Sequence, residues 1–276
     1  MAALEPTPRP AGGLARVRWT LADGWTLVRR ELAHLTPGEL AAQLIFPALL
    51  VLLFGYVFGS AIAVPGGGSY REYLMPGLFA MTAVTGIMAT AITVAGDKDR
   101  GVMDRFRSMP MAPLAVPFGQ TGAGILTGAV STAAIAVCGL AVGWRAHHGV
   151  ARTLAAFALL LLLRYALSWG GVLLGLAASE RTLDQAAPLL FPVTMLSNAF
   201  VPTGHMPGWL RVIADWNPVS ALVAACRDLF GNQQGTPAGD LAWPLQHPVA
   251  TVLLSVVVLL AVLVPLTVHR FQTMNR

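Results

Sequence analysis

Six apolar runs, spread along the chain, restrict what it can become. They cover 43–64, 73–95, 118–143, 154–178, 186–201 and 247–268. Each is close to the length of about 20 residues that a helix needs to cross a hydrocarbon core of about 30 Å. Lipid offers no hydrogen bonds, so a single segment can span it only as a helix, with all its N–H and C=O groups paired internally. The composition agrees: the 276 residues are 55% hydrophobic and only 11% charged, against about 25% charged in soluble domains. The expected fold class is an all-α integral membrane protein with six transmembrane helices. The fifth run is interrupted by Pro188, Pro192 and Pro202.

The remaining segments fall around this 43–268 membrane domain. Residues 1–13 are rich in Pro, Ala and Gly and read as a disordered tail. In 14–36, Val17, Leu21, Trp25, Val28, Leu32 and Leu35 recur at three- and four-residue steps, opposite Arg16, Asp23, Arg30 and His34. That is an amphipathic helix suited to the membrane interface, either a lever that contacts a partner or a plain anchor. Residues 203–246 match neither a span nor a soluble domain. Pro207–Ala214 and Pro218–Phe230 read as two short helices opened by proline, forming an external re-entrant hairpin that packs on protein. A short tail, 269–276, ends the chain. Six spans put both termini on one side, and basic residues concentrate in the segments that an inside N-terminus leaves inside. The expectation is a multi-pass cell-membrane protein with cytoplasmic termini. Lys98 is the single lysine among 18 basic residues, a bias that points to GC-rich coding and a bacterium.

Between the second and third runs lies a charged island, DKDRGVMDRFRSMPMAP, at 97–113. Read as one helix, it sets Met103, Phe106 and Met109 on a stripe three residues apart. Asp97, Lys98, Asp99, Arg100, Asp104, Arg105 and Arg107 surround that stripe, and Pro110 and Pro113 would stop the helix. Asp97 and Asp99 would lie near its start and Arg105 and Arg107 near its end, the polarity that the helix dipole favours. An apolar knob ringed by both signs of charge fits a groove on a soluble partner; the alternative is a loop on the bilayer surface.

Arg164 stands deep in the fourth run, where an arginine costs about 2.5–3.5 kcal/mol. No acidic residue lies deep in any run, and Glu72 is the nearest by depth. Arg164 would contact an anionic substrate group or a second subunit, or else snorkel outward onto backbone carbonyls. Asn198, near the end of the fifth run, is a milder case of the same kind, with interhelical packing as its other reading. His147 and His148 are adjacent but lack a third ligand, so a solvated loop outweighs a metal site. The GxxxG pairs Gly124/Gly128 and Gly171/Gly175 permit close helix approach. Cys138 and Cys226 form neither a disulfide framework nor a metal motif.

Several function classes are excluded. The only lysine stands in GDKDRG, so a phosphate-binding G-x-x-x-x-G-K-[ST] loop is absent. No chain of buried acids or histidines exists to relay protons, which argues against a proton-coupled carrier. The positive net charge follows the membrane rule and does not imply nucleic-acid binding.

DKDRGVMDRFRSMPM resembles the signature of ABC-2-type export permeases: acidic-basic-acidic, then Gly, then an arginine-rich stretch ending in Met-Pro. WNPVSALVAACRDLFGN, before the last run, is similar to a second segment of that family, and the daunorubicin-type drug-resistance permeases resemble the chain most. Val102 departs from the usual threonine and Pro113 from the usual basic residue. The resemblance implies two permease subunits, alike or different, each joined to a separate ATPase that binds ATP and Mg, with no cofactor on this chain. It implies ATPase coupling through Asp97, Lys98, Asp99, Arg100, Gly101, Met103, Asp104, Arg105, Phe106, Arg107, Met109 and Pro110. It also implies outward movement of a small amphiphilic drug, antibiotic or lipid. Export of a polysaccharide or envelope lipid, or an ATP-independent carrier, are the competing readings.

Overall fold

The computed structural model describes residues 69–103, 115–200, 206–232 and 242–273, with Gly38, Ile45, 48–53 and Tyr56. The tail 1–13, the amphipathic segment 14–36 and most of 43–64 lie outside the described residues, which contain helices and turns but no strand.

Four described helices are long and apolar enough to cross a membrane. They are α1 (Tyr70–Asp99), α2 (Ala115–Val142), α3 (Gly149–Ala177) and, last in the chain, α9 (Pro248–Thr273). Each begins or ends a few residues beyond its apolar run. With 30 residues, α1 is about 45 Å long at 1.5 Å per residue, so it projects past the hydrocarbon.

The fifth run differs from the expectation of a span. The short polar stretch 179–185 between the fourth and fifth runs forms a helix, α4 (Glu180–Ala186), whose N-cap Ser179 accepts a hydrogen bond from the Thr182 N–H at 3.3 Å. A 3-10 turn (Ala187–Leu189) and α5 (Leu190–Met195) follow, and the chain leaves helical geometry at Leu196. Pro188 and Pro192 each remove a backbone donor and crowd the preceding turn, which breaks the run into short pieces. Two short helices then appear where the sequence placed them, α6 (Gly208–Asp215) and α7 (Pro218–Phe230). Asn217 caps α7 by accepting from the Val219 N–H at 2.9 Å, and Gly231 ends it at φ +76°. A single turn, α8 (Trp243–Gln246), leads into α9.

The centre of the bundle is α1, against which α3 packs most closely. Glycine makes this possible: a Cβ on Gly171 would stand 2.5 Å from the Ile87 carbonyl oxygen, and one on Gly175 would stand 2.6 Å from that of Ala91. Of the GxxxG pairs, Gly171/Gly175 therefore serves close helix approach. At one end Phe79, Trp144, Phe157 and Phe230 form an aromatic cluster with centroids 5.1–5.8 Å apart, joining α1, α3, α7 and the loop after α2. Trp144 Nε1 donates to Asn232 Oδ1 at 2.9 Å. The outer face of α9 leaves Leu254, Val257, Val258 and Val262 exposed, as a lipid-facing helix would.

Candidate functional site

The charged island is not one helix. Its first three residues complete α1, and Gly101, at φ +70°, breaks the chain there. That conformation costs glycine little and other residues more. Asp97 and Asp99 therefore sit at a helix C-terminus, where the dipole disfavours them, and not at a start. Bonds to neighbouring elements offset this. Asp97 is buried and accepts from Gln120 Nε2 of α2 at 3.2 Å, with Arg100 at 3.5 Å. Lys98 Nζ donates to the Ala178 carbonyl after α3. Asp99 Oδ2 accepts the Glu180 N–H at the start of α4 at 3.1 Å. The charges thus tie the end of α1 to α2, α3 and α4.

Met103 is not part of an exposed knob in this structure. It is 2% exposed and packs with Val94, Val116, Leu176 and Phe271, because the turn at Gly101 swings it inward. Asp104, Arg105, Phe106, Arg107, Met109 and Pro110 lie outside the described residues.

Arg164 does not snorkel outward, nor does it meet Glu72, which is bonded to His147 at 2.9 Å. It is 6% exposed and points inward between α1 and α2. Nε donates to the Gly124 carbonyl at 2.8 Å and Nη1 to the Thr82 carbonyl at 2.6 Å. A Cβ at Gly86 or Gly128 would overlap the guanidinium. Gly86 and Gly128 thus make a slot for an arginine, and Gly124 supplies a carbonyl acceptor. Among the described residues, Nη2 of Arg164 has no hydrogen-bond partner.

The third polar centre surrounds the break after α5. The non-helical turn at 196–200 is held from two sides. On the α7 side, Asn217 Nδ2 donates to the Leu196 carbonyl at 3.1 Å and Ser220 Oγ accepts the Asn198 N–H at 3.1 Å. On the α1 side, Tyr73 donates its hydroxyl to the Asn198 carbonyl at 3.3 Å and Tyr70 to that of Phe200 at 3.4 Å. Arg227 joins both sides. Its Nη2 donates to the carbonyls of Asn198 at 2.9 Å and Ala199 at 3.2 Å. Nε and Nη2 also reach the Tyr73 carbonyl at 3.2 and 3.1 Å, and Cζ lies 3.7 Å from the Tyr73 ring centroid. One group at this turn is left over: the side-chain Oδ1 of Asn198 is buried without a hydrogen-bond partner. The histidines anchor the same end: the His147 N–H donates to the Phe230 carbonyl at 2.7 Å, and His148 Nδ1 lies 2.8 Å from that of Asp228.

The model of one family, ABC-2 type transporter, matches residues 23–230. The chain belongs to the ABC-2 type transporter family. It is 31% identical over 274 residues to the daunorubicin resistance ABC transporter permease protein DrrB1 of Streptomyces coeruleorubidus, covering 99% of this chain and 92% of that protein. To the doxorubicin resistance ABC transporter permease protein DrrB of Mycobacterium tuberculosis it is 29% identical over 257 residues, 86% of this chain and 85% of the relative. To the inner membrane transport permease YadH of Escherichia coli it is 25% identical over 194 residues, 68% and 73%. This chain is accordingly the permease component of an ABC exporter, as the charged motif implied. The ABC-2 region contains the charged stretch, Arg164 and the held turn, and it ends at the last residue of α7. Reading the sequence missed Arg227. Its one signal was its place in WNPVSALVAACRDLFGN, on the otherwise apolar stripe of a short helix.

Proposed function

We propose that this ABC-2 permease moves a hydrophobic or amphiphilic compound, such as a drug, antibiotic or lipid, out of the cell. Two permease subunits form the path. A separately encoded ATPase, carrying the ATP and Mg, docks on 97–113 and on the amphipathic segment 14–36, and the hairpin within 203–246 caps the exit. The observation that carries this reading is the anchoring of the charged end of α1. Asp97, Lys98 and Asp99 fasten it to α2, α3 and α4 through Gln120, the Ala178 carbonyl and the Glu180 N–H. A force applied at the island therefore reaches several helices at once. The relatives named for daunorubicin and doxorubicin resistance support the compound class. Among the described residues, Arg164 Nη2, Trp169 Nε1 and Asn198 Oδ1 keep hydrogen-bonding capacity that the compound or the second subunit could use.

The test is co-purification of this chain with its ATPase, comparing the wild type with Phe106→Asp and Arg107→Glu. The wild type should capture the ATPase, while both variants insert normally and capture less. Equal capture by all three removes the docking assignment. Failure of the wild type to capture it favours an ATP-independent carrier.

A further inference from the structure

The turn at 196–200 interrupts a run of the membrane domain, yet four of its five carbonyls accept hydrogen bonds from side chains outside it. Three elements meet there, and one side chain touches all of them. Arg227 stands on α7, binds the turn through the Asn198 and Ala199 carbonyls, and binds α1 through the Tyr73 carbonyl and ring. Besides close packing of the Ala199 backbone on Gly77, the turn and α1 are joined by single hydroxyl bonds at 3.3 and 3.4 Å. Those are long for O–H donors, and neutral bonds are weaker than those of a guanidinium. Arg227 is 6% exposed and has no ion pair among the described residues. Among the described residues, its charge is met by carbonyls and a ring face. A carbonyl partner of this kind can be exchanged for water, since Asn198 and Ala199 lie outside any helix and their oxygens serve no helical ladder.

We infer that Arg227 is a positioning residue of the transport cycle, a latch that fastens the turn 196–200 and α7 to α1. The turn cannot move relative to α1 unless this guanidinium changes partners, whether it parts from the turn or from Tyr73. The outer end of the path is closed while the latch holds and opens when it releases. The inference rests on the exporter reading for its role in transport. The latch itself is a property of this chain.

A native probe stands beside it. Cys226 is 0% exposed and precedes Arg227 on α7. The chain has two cysteines, so Cys138→Ala leaves Cys226 as its one thiol. The experiment takes that variant in complex with its ATPase in lipid nanodiscs, where a maleimide reaches both faces, and reads labelling on this chain's own gel band. Labelling of Cys226 should be slow at rest and rise about tenfold with ATP and vanadate, as a buried group does when a minor open state becomes populated. Adding Arg227→Gln should make it fast at rest with little further rise, and Arg227→Lys should fall between. Tyr73→Phe, which deletes one hydroxyl and keeps the carbonyl and ring, should raise the resting rate about two- to threefold; it keeps the test open if Arg227→Gln does not fold. The latch is overturned if Cys226 is equally protected with and without nucleotide in a complex whose ATPase is trapped by vanadate. It is also overturned if Arg227→Gln and Tyr73→Phe label like their parent at rest. If no ATPase binds, the exporter reading fails, and the resting comparison still decides the latch.

Discussion

Replacing Arg164 by methionine separates what this side chain does for the fold from what it does for transport. Its two hydrogen bonds, at 2.8 and 2.6 Å, come from a charged donor and are worth about 1.5–3 kcal/mol each, so about 3–6 kcal/mol together. Against them stands the cost of an arginine at the centre of a membrane helix, about 2.5–3.5 kcal/mol. The balance lies between about −0.5 and 3.5 kcal/mol in favour of arginine. The acceptors, the Thr82 and Gly124 carbonyls, belong to helices and keep their place in the helical ladder after substitution, so neither is orphaned. Methionine is unbranched and flexible, and it fills the slot between Gly86 and Gly128. The Arg164→Met protein should therefore insert, assemble with its ATPase and melt no more than a few degrees to about ten degrees lower. Transport should suffer more. If Nη2 donates to the exported compound, its loss costs another 1.5–3 kcal/mol or so, a rise of about ten- to a hundredfold in the half-saturating concentration. The assay is compound-stimulated ATPase activity of the nanodisc complex, titrated with daunorubicin and with a neutral lipid, alongside a melt followed by tryptophan fluorescence. An unchanged half-saturating concentration in an assembled complex would refute the contact. A collapse in melting temperature would refute the balance of terms and make Arg164 chiefly structural.

Other substitutions test the frame around these groups. Gly175→Val should force α3 away from α1, because its Cβ would stand 2.6 Å from the Ala91 carbonyl oxygen and 2.7 Å from the Val94 Cβ; the expected loss is about 1–3 kcal/mol, read as a lower melting temperature, and parental melting would contradict the packing. Trp144→Phe keeps the aromatic cluster but removes the 2.9 Å bond to Asn232 Oδ1, stranding a buried acceptor at about 1–3 kcal/mol; the same melt checks it. Lys98→Met should leave insertion intact and lower compound-stimulated ATPase activity several-fold, since the end of α1 loses its tie to the Ala178 carbonyl; undiminished coupling would show that this tie transmits nothing.

What could be read from the sequence follows the physics of each feature. Length and apolarity determine a span almost alone, so α1, α2, α3 and α9 were legible. Their ends were not, because a helix that leaves the hydrocarbon can go on in water, as α1 does to Asp99. The two short helices before α8 were legible from the prolines that open them. The break at 186–201 was half visible: the prolines announced an interruption, but composition cannot tell a kinked span from separate pieces. Gly101 misled the reading of 97–110, since glycine ends a helix only when it takes a positive φ, and nothing local announces that. Met103 therefore went to the docking stripe, whereas the structure buries it. Arg164 was flagged by its cost, yet its surroundings depend on glycines in two other helices, far apart in sequence.

The same distance effect explains why the partners of the buried cations leave no trace in the sequence. Where this chain buries or half-buries a cation, backbone carbonyls recur as its partners. Arg164 uses Thr82 and Gly124, Arg227 uses Tyr73, Asn198 and Ala199, Lys98 uses Ala178, and Arg71 uses Val142. A carbonyl is no residue type and leaves no mark in a sequence. It also differs from a carboxylate in consequence. A buried ion pair that loses one partner leaves an uncompensated charge at about 3–5 kcal/mol, whereas a cation that slips from one carbonyl to the next, or to a water, keeps its solvation roughly constant. Carbonyl partners thus let helices shift past a buried cation without stranding an opposite charge. An exporter that must alternate between two arrangements of the same helices needs that freedom. A carboxylate introduced beside Arg227, as in Ala199→Asp, should therefore tighten the clasp and slow export while raising thermal stability. Faster export from a more stable Ala199→Asp protein would show that exchange of carbonyl partners is not what limits the cycle.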